Sequence, residues 1–513
     1  MKANNFLVNT IVSASLDGVD AKVIEVEASI TKGLPTLTVV GLASSDIQEA
    51  KERAKSALAA FEYSLPPYKI TINLSPSDIK KSGTHFDLAI ASLIALNQEP
   101  IVHKSIFLFG ELGLDGKVKS SSLLFPIILS LKEQGLISKA IIPKEALSSL
   151  SHIPGVSFYP VSTLQEAIEL LREPTLPNPS IKKQKPNAKE ITIENKSYFY
   201  STDYPLDFKD IIGQELALRA ALLAAAGGHN MLLNGSPGSG KTMIAKRMPY
   251  ILPPLAQEDI LAIAKHQFLA HQEPSFKPHP PFRTPHHSAT LAAIFGGGSY
   301  SAKIGEVALA HKGILFFDEL PHFNSKVLEA LREPMQDRVI NIARVNSKIT
   351  YKADFLFIGA MNPCPCGNLL SQRNTCRCTE LEIKRYQNRL SEPFLDRIEL
   401  YVTMQETDFN QKSSTSSQEL HKQVLKAFTF QKKRGQSKLN GKLDEKEIAQ
   451  FCIIDDEAKE IIQKAINRFG LSFRSVNNIK KVARTIADLQ EQELITKSHI
   501  LEALNFRKRR EGN

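Results

Sequence analysis

The stretch Gly235-Ser-Pro-Gly-Ser-Gly-Lys-Thr242 decides the fold, because it fits the pattern G-x-x-x-x-G-K-[ST] in the setting that this pattern requires. The apolar run Met231-Leu-Leu-Asn234 before it predicts a short buried strand, and a helix is predicted to start at Thr242. Between a strand and a helix, such glycines let backbone N–H groups turn inward around a phosphate. Taken alone, the stretch also fits an ordinary Gly-rich turn. In its setting it predicts a phosphate-binding loop made of Gly235, Ser236, Pro237, Gly238, Ser239, Gly240, Lys241 and Thr242.

A second motif supports this interpretation. The run Ile314-Leu-Phe-Phe-Asp-Glu319 predicts a fully buried strand that ends in two carboxylates. In P-loop enzymes the loop lysine contacts the β- and γ-phosphates, and the loop hydroxyl and the first carboxylate hold Mg²⁺. We therefore assign Lys241 to the phosphates of a nucleoside triphosphate, Thr242 and Asp318 to Mg²⁺, and Glu319 to the attacking water. The next predicted strand, 355–361, ends at Asn362, whose amide is placed beside the γ-phosphate.

Composition sets the broad class. A chain of 513 residues with 42% hydrophobic and 23% charged residues is expected to form several soluble domains. Lys and Arg (64) outnumber Asp and Glu (54), and the net charge of +10 weakly favours a polyanionic partner. No apolar run reaches the ~20 residues that cross a bilayer, and the amino terminus lacks the pattern of a signal peptide. We expect a cytoplasmic protein without a membrane partner.

The pattern of elements predicts an α/β protein with three domains and a linker. Residues 1–172 alternate strand-like and helix-like segments, and residues 173–204 are rich in proline and lysine, which predicts a solvated linker. Residues 205–405 hold the nucleotide motifs. Residues 406–513 start as a polar connecting segment and continue as a helical domain.

The first domain resembles the Lon-protease-like domain, which has the ribosomal-protein-S5-like fold. The resemblance lies in Gly110-Glu-Leu-Gly-Leu-Asp-Gly-Lys117 and Ile141-Ile-Pro-Lys-Glu145. Lon proteases use a Ser–Lys dyad, but the alignment puts His85 at the serine position and places the lysine position near Phe125. The resemblance therefore implies a domain without proteolytic activity. Ser82 or Lys119 as displaced members of a dyad is the alternative.

The rest of the chain resembles the magnesium-chelatase-like AAA+ ATPases. The resemblance lies in Pro285-His-His287, Asn362-Pro-Cys-Pro-Cys-Gly367 and Ala483-Arg-Thr-Ile-Ala-Asp-Leu489. With the Lon-like domain in front, the whole chain is similar to the ComM/YifB family of AAA+ proteins. This resemblance implies a hexameric ring and a C-terminal helical lid.

The resemblance also assigns three site residues. It makes Asn362 the sensor 1 residue, Arg397 the arginine finger that acts in trans, and Arg474 the sensor 2 residue. From the residues alone, a surface ion pair with Asp396 is the alternative for Arg397. For Arg474 the alternative is a helix N-terminal arginine that binds no phosphate.

The same resemblance implies an ATP-driven ring motor that binds single-stranded or branched DNA. Such a motor acts as a branch-migration helicase and promotes recombination of incoming DNA in natural transformation. The rival function is a chaperone-like motor that inserts a metal or remodels a protein. Two β-rich arms, 339–342 and 348–351, predict a hairpin, and in similar motors a hairpin at this point projects into the ring channel. Arg344 and Lys348 are the expected DNA phosphate contacts. An ion pair that only holds the hairpin is the alternative for Arg344.

A cysteine cluster lies just after Asn362. Four thiolates can close a tetrahedral Zn²⁺ site, although the C-x-C spacing is tighter than the usual C-x₂-C. We favour structural zinc, with a redox pair or small buried side chains as the alternatives. The expected ligands are Cys364, Cys366, Cys376 and Cys378.

Overall fold

The computed structural model describes residues 9–63, 65, 67–97, 99–179, 188–297, 303–343, 348–406 and 415–507. These residues form two compact units. Unit 1 takes its residues from 1–185, 264–276 and 343–350, and unit 2 from 186–263, 277–342 and 351–513. Each unit has its own hydrophobic core.

The described strands are β1 (Asn9–Asp17), β2 (Asp20–Thr31), β3 (Thr36–Val40), β4 (Lys69–Ser75), β5 (Phe107–Leu108), β6 (Glu111–Leu112), β7 (Val118–Lys119), β8 (Lys139–Pro143), β9 (Ser157–Val161), β10 (Lys189–Ile193), β11 (Lys196–Tyr200), β12 (Met231–Gly235), β13 (Leu255–Ala256), β14 (Phe282–Arg283), β15 (Gly296–Gly297), β16 (Lys303–Ile304), β17 (Ile314–Phe317), β18 (Val339–Ala343), β19 (Lys348–Lys352), β20 (Leu356–Met361) and β21 (Leu400–Met404).

The described α-helices are α1 (Ser45–Ala60), α2 (Asp87–Ala95), α3 (Leu124–Glu133), α4 (Leu147–Leu150), α5 (Leu164–Arg172), α6 (Glu215–Gly227), α7 (Lys241–Arg247), α8 (Gln257–Leu269), α9 (Leu291–Phe295), α10 (Glu306–Leu309), α11 (Ser325–Ala330), α12 (Arg332–Asp337), α13 (Glu380–Gln387), α14 (Glu392–Leu395), α15 (Ser417–Lys433), α16 (Glu445–Phe451), α17 (Asp456–Phe469), α18 (Phe473–Leu489) and α19 (Lys497–Asn505). In the part of the chain described, none of them is both long enough and apolar enough to span a membrane.

Unit 1 is built on a seven-stranded mixed sheet of order β3-β4-β2-β1-β5-β8-β9. In β4 the residues Ile70, Ile72 and Leu74 are buried and their neighbours are not, which is the alternation of a strand with one covered face. Helix α1 buries Ile47, Ala50, Ala54 and Ala57 along one stripe, as helical periodicity requires. The sequence prediction of an α/β first domain is confirmed.

Unit 2 contains a five-stranded sheet of order β14-β17-β20-β12-β21. Every neighbouring pair in it is parallel. Strands β12, β17 and β20 are buried along their whole length, which explains their nearly continuous apolar sequences. Because the strands are parallel, their carboxyl ends meet at one edge of the sheet. The phosphate loop, the Asp318-Glu319 pair and Asn362 all follow strands at that edge.

Two stretches differ from the sequence prediction. Within the predicted linker, residues 189–200 form the antiparallel hairpin β10–β11, which also pairs with β13, so the linker prediction is wrong there. Its Phe199 is buried against Leu255, Ile260 and Ile263, and this packing compensates for the polar composition.

The second stretch is the predicted connecting segment, which contains the 17-residue helix α15. Leu420, Val424, Ala427 and Phe428 form a buried stripe on this helix, at the spacing of an amphipathic helix. A capping box between Ser416 and Glu419 starts it. The polar residues between the stripe positions hide this pattern at first inspection.

The helical end of unit 2 encloses a buried ionic cluster around Asp488. The Asp488 carboxylate accepts hydrogen bonds from Arg484 Nε at 2.9 Å, Arg434 Nη1 at 2.7 Å and Asn440 Nδ2 at 2.7 Å. The side chains of Arg484 and Asp488 are both 0% exposed. Removing one partner from a buried pair leaves an uncompensated charge, which costs far more than the pair contributes.

Replacement of Asp488 should therefore destabilise unit 2. We expect Asp488→Asn to lower the free energy of unfolding by about 3–5 kcal/mol, because two arginines lose their only carboxylate in this cluster. The midpoint of urea unfolding, followed by circular dichroism, measures this. Asp456→Asn is the matched control, since Asp456 is exposed at the start of α17. Equal midpoints for the two variants would contradict the role of the cluster.

Candidate nucleotide site and cysteine cluster

Lys241 begins helix α7, and its ammonium group lies inside the phosphate loop. Its Nζ donates hydrogen bonds to the backbone oxygens of Gly235 at 2.6 Å and Ser236 at 2.9 Å. Gly238 and Gly240 have φ angles of 79° and 92°, a region that other residues rarely adopt. Burial lowers the pKa of Lys241, and the negative charge of Asp318 opposes this shift. A desolvated ammonium interacts strongly with a phosphate that enters the loop.

The Asp318 carboxylate lies directly beside the loop. Thr242 Oγ1 donates a hydrogen bond to Asp318 Oδ2 at 2.9 Å, and the Glu319 backbone N–H donates to Asp318 Oδ1 at 3.0 Å. A hydroxyl and a carboxylate at this distance are suitable oxygen ligands for Mg²⁺. Glu319 has a left-handed backbone, with φ 51°, and its side chain is exposed. The Glu319 carboxylate is therefore accessible to water.

Asn362 completes this group from the next strand. Lys241 Nζ donates a hydrogen bond to Asn362 Oδ1 at 3.2 Å. The amide therefore touches the same ammonium group that lies in the phosphate loop. The structure thus brings Lys241, Thr242, Asp318 and Asn362 together at the carboxyl edge of the parallel sheet.

Gln214 is a residue at this site that sequence reasoning did not assign. Its Nε2 donates to the backbone oxygen of Ser239 in the phosphate loop at 3.2 Å and to that of Gln405 at 2.6 Å. Gln214 precedes helix α6 and is buried. It holds the loop to the chain that follows β21. Its position immediately before an alanine-rich helix was the available signal.

Arg397 and Arg474 lie together, and they meet at Gln336. Arg397 Nη2 donates to Gln336 Oε1 at 2.9 Å, and Arg474 Nη2 donates to the same oxygen at 3.4 Å. Arg397 also donates to the backbone oxygens of Arg332 and Pro393. Among the described residues, no ion pair joins Arg397 to Asp396.

The two arginines line a cavity of about 520 Å³ whose other walls come from α12, α18 and residues 441–445. None of the phosphate-loop residues lines this cavity. Burial lowers the pKa of Arg397, and the charges of Arg474 and Arg332 lower it further. Nothing in the sequence pointed to Gln336 as the shared acceptor.

The four cysteines of the predicted zinc site converge. Cys364 Sγ lies 3.4 Å from Cys366 Sγ and 3.7 Å from Cys376 Sγ, and the latter two sulfurs are 3.6 Å apart. The four sulfurs, with that of Cys378, all lie within 4.8 Å of one another. In a tetrahedral zinc site with Zn–S bonds of about 2.3 Å, sulfurs stand about 3.8 Å apart.

The environment of Cys366 also fits metal binding. Backbone N–H groups of Asn368 and Arg377 point at its sulfur and lower the pKa of the thiol to about 6, whereas burial raises the pKa of Cys364 and the neighbouring thiols raise that of Cys378. A thiolate is the form that binds metal. The donor set and its spacing therefore fit Zn²⁺, and Cys364, Cys366, Cys376 and Cys378 would hold the ion.

The cysteine loop packs against the phosphate loop. A Cβ atom at Gly367 would lie 2.6 Å from Cδ of Pro237, so only glycine fits this approach. Gly367 also has a φ of 79°. The metal-ligand loop and the phosphate loop are in direct contact.

The predicted DNA hairpin is present as a two-stranded sheet of β18 and β19. Its arms agree with the sequence prediction. Arg344 lies outside the described residues, and the same holds for the side chain of Lys348.

Three families of known proteins match this chain, each in a different part. The family described as magnesium chelatase, subunit ChlI, matches residues 207–412. The families described as subunit ChlI of Mg-chelatase and as the C-terminal part of magnesium chelatase subunit ChlI match residues 26–146 and 414–507. The phosphate loop on a parallel sheet and the helical C-terminal region define a AAA+ protein of the magnesium-chelatase type.

Whole-chain similarity narrows this class. The competence protein ComM of Haemophilus influenzae is 38% identical over 96% of this chain and 95% of its own length. The protein YifB of Escherichia coli is 39% identical over the same shares. The 67 kDa magnesium-chelatase subunit of Chlorobaculum parvum is 24% identical over 30% of this chain and 23% of its own length. The chain belongs to the ComM/YifB family.

The geometry of the sulfurs leads to a prediction about metal content. We expect the purified, reduced protein to carry about one zinc ion per chain, because four thiolates at tetrahedral spacing bind zinc tightly. A Cys376→Ser, Cys378→Ser variant should lose it. Cys452→Ser is the matched control, since Cys452 is buried outside the cluster. Elemental analysis measures the content, and a metal-free reduced wild type would leave the redox interpretation.

Proposed function

We propose that this chain is an ATP-hydrolysing ring motor that moves branched DNA and so promotes recombination of incoming DNA in natural transformation. The observation that carries the ATPase is the hydrogen-bonded group of Lys241, Thr242, Asp318 and Asn362. The similarity to a competence protein along nearly the whole chain supports the link to DNA uptake. Clustered free thiols suit a reducing compartment, so we extend the proposal to the cytoplasm.

The proposed hydrolysis uses each of these groups once. Lys241 neutralises charge on the β- and γ-phosphates. Thr242 and Asp318 would hold Mg²⁺, which would supply further neutralisation of charge on the phosphates. Glu319 accepts a hydrogen bond from the attacking water and orients it. Asn362 holds Lys241 and offers its amide to the γ-phosphate or the water. Glu319 therefore serves turnover more than binding.

Arg397 and Arg474 support completion of this site by a second subunit. They hydrogen-bond Gln336 and line a cavity that contains no residue of the phosphate loop. Two arginines side by side repel each other, and a γ-phosphate from a neighbouring subunit would satisfy both. We propose that both arginines reach the neighbour's ATP in a homo-hexameric ring.

Gln336 offers a connection from this interface to DNA. It lies on α12, and the hairpin strand β18 begins three residues later at Val339. Release of the two arginines toward a neighbour's nucleotide would free Gln336 and let α12 adjust. The proposed role of the hairpin is to contact DNA phosphates through Arg344 and Lys348.

The rival function, metal insertion or protein remodelling, has weaker support. The 67 kDa magnesium-chelatase subunit of Chlorobaculum parvum matches 30% of this chain and ComM of Haemophilus influenzae matches 96%, although magnesium-chelatase family models match residues 26–146, 207–412 and 414–507. We also propose that the first domain is not a protease. Its His85 ring is fully buried, Nε2 lies 2.8 Å from the oxygen of Ala14, and burial lowers its pKa to about 4.

The ring proposal predicts complementation between inactive chains. Arg397→Ala chains keep a complete phosphate loop, and Lys241→Ala chains keep the arginines. Neither variant alone should hydrolyse ATP, but mixtures should recover part of the activity, because some interfaces then combine an intact loop with an intact finger. The control is a mixture of Lys326→Ala chains with Lys241→Ala chains, because Lys326 is an exposed residue on α11 whose loss should not affect activity. This mixture shows how subunit exchange alone changes the ATPase activity. If pull-down confirms that mixed rings form and they still do not hydrolyse ATP, then Arg397 is not the arginine finger that acts in trans.

The motor proposal predicts DNA-stimulated ATP hydrolysis and branch migration on a four-way junction. Glu319→Gln should bind ATP and DNA normally but turn over at least about 100-fold more slowly, because water is no longer oriented. Arg344→Ala should keep basal hydrolysis, bind DNA with a shallower salt dependence and lose migration. Lys326→Ala should behave like wild type. An ATP hydrolysis rate that DNA does not increase would favour the metal-insertion or remodelling alternative.

A further inference from the structure

A second cavity in unit 2 lies at the opposite edge of the five-stranded sheet. Gly313, Phe355 and Leu356 line it, and they stand at the amino-terminal ends of β17 and β20. Lys241 and Asn362 stand at the carboxyl ends, so this cavity is separate from the ATP site. Its volume is about 300 Å³, at the lower end of the range for small-molecule sites. The remaining walls come from β11, residues 252–256, α15 and residues 437–442.

Positive charge dominates the lining. The cationic residues are Lys196, Lys312, Arg338, Lys432, Lys438 and Lys442. The carboxylates are Asp259 and Asp354 alone, and both pair with Lys312, whose Nζ lies 3.3 Å and 3.0 Å from them. The outer lysines, Lys196 and Lys438, pair with acids that lie outside the lining.

Three cations remain without a carboxylate partner within 4.0 Å in the part of the chain described, namely Arg338, Lys432 and Lys442. They are held by neutral backbone oxygens instead. Lys432 Nζ donates to the oxygens of Gln436 at 3.0 Å and Ser437 at 2.6 Å. Lys442 Nζ donates to Phe355 at 2.9 Å, and Arg338 Nη2 donates to Lys442 at 2.7 Å. Carbonyl oxygens fix these groups in place but do not neutralise them.

The charges are also desolvated. Burial, together with the ammonium groups of Lys312 and Lys196, lowers the pKa of Lys432 to about 8, and the charge of Asp259 opposes this shift. Burial also lowers the pKa of Lys442, although Asp354 and Glu399 oppose this. Helix α8 begins at Gln257, directly after the lining residue Ala256, and adds the positive end of its dipole. A bound anion would add negative charge beside Lys432 and Arg338, which have no carboxylate within 4.0 Å among the described residues.

One wall is aromatic. The rings of Tyr198 and Phe428 meet edge to face with centroids 5.1 Å apart. Lys196 lies over the first ring and Lys432 over the second, at 5.9 Å and 5.3 Å from the centroids. Leu252 and Leu255 continue this wall. A ligand with a flat ring and a phosphate would match both parts of the cavity.

We propose that this cavity binds a nucleoside phosphate, either a free nucleotide or the phosphorylated end of a DNA strand. The phosphate would lie among Arg338, Lys432 and Lys442, and the base would lie against Tyr198 and Phe428. This second site is separate from the phosphate loop, although Arg338 and Lys442 also line the cavity that holds Arg397 and Arg474.

The test uses the full-length chain with Lys241→Ala, so that binding in the phosphate loop does not mask the second site. Calorimetric titration with dAMP and with a 5′-phosphorylated tetradeoxyadenylate measures affinity, and deoxyadenosine and the unphosphorylated oligonucleotide are the reference ligands. We expect each phosphorylated probe to bind at least about tenfold more tightly than its reference. A larger gain in affinity for dAMP indicates a free nucleotide as the ligand, and a larger gain for the phosphorylated oligonucleotide indicates the end of a DNA strand.

Variants connect this binding to the cavity. In the same background, Lys432→Met should weaken binding of the phosphorylated probe at least about tenfold. Lys433→Met is the matched control, since Lys433 is the next residue, is exposed and does not line the cavity. Lys196→Met removes a more exposed charge and should weaken binding without affecting folding. Thermal melting checks each variant. Parental affinity in a folded Lys432→Met variant, or no preference for phosphate in the parent, would overturn the proposal.

Discussion

The nucleotide site depends on one constraint, the order of strands in the parallel sheet of unit 2. Because β12 pairs with β20 on one side and β21 on the other, the phosphate loop lies beside Asn362. Because β17 is the next strand beyond β20, Asp318 reaches Thr242 across the same edge. The ammonium of Lys241 joins these parts, since it contacts both the loop oxygens and Asn362. Residues separated by more than a hundred positions in the chain, such as Lys241 and Asn362, thereby meet at one edge of the sheet.

Asn230 links the parallel sheet to Arg397, the proposed arginine finger. Its backbone N–H donates to Glu399 at 2.8 Å, its Oδ1 accepts from the N–H of Phe357 at 3.0 Å, and its Nδ2 donates to the oxygen of Arg397 at 2.8 Å. Burial raises the pKa of Glu399, while the charges of Lys481 and Lys442 oppose this. The buried side-chain amide of Asn230 therefore fixes the backbone of Arg397 relative to the sheet. Arg397 is held in this way although it is far from the phosphate loop in the sequence.

The sequence specified the parts of this arrangement that rest on local pattern. The phosphate loop, the buried strands and the hairpin arms follow from spacing and apolar runs, and the structure contains each of them. Helix α15 and the hairpin β10–β11 were missed, because tertiary packing of a few residues such as Phe199 and Leu420 outweighs a polar composition. Gln214 was missed although it directly precedes an alanine-rich helix, and nothing in the sequence pointed to Gln336. A neutral amide acquires its importance from the groups that folding brings to it, and here those groups come from distant segments.

The contact between Gly367 and Pro237 has a thermodynamic consequence. The cysteine loop and the phosphate loop share a packed surface at which there is no room for a methyl group. If zinc fixes the first loop, it also restricts the second, and the two ligands then share a coupling free energy. Such coupling is reciprocal, so any factor by which zinc tightens ATP binding is the factor by which ATP tightens zinc. Oxidants that convert the thiolates to forms unable to bind zinc would then change the affinity for the nucleotide. No redox group would need to contact the nucleotide.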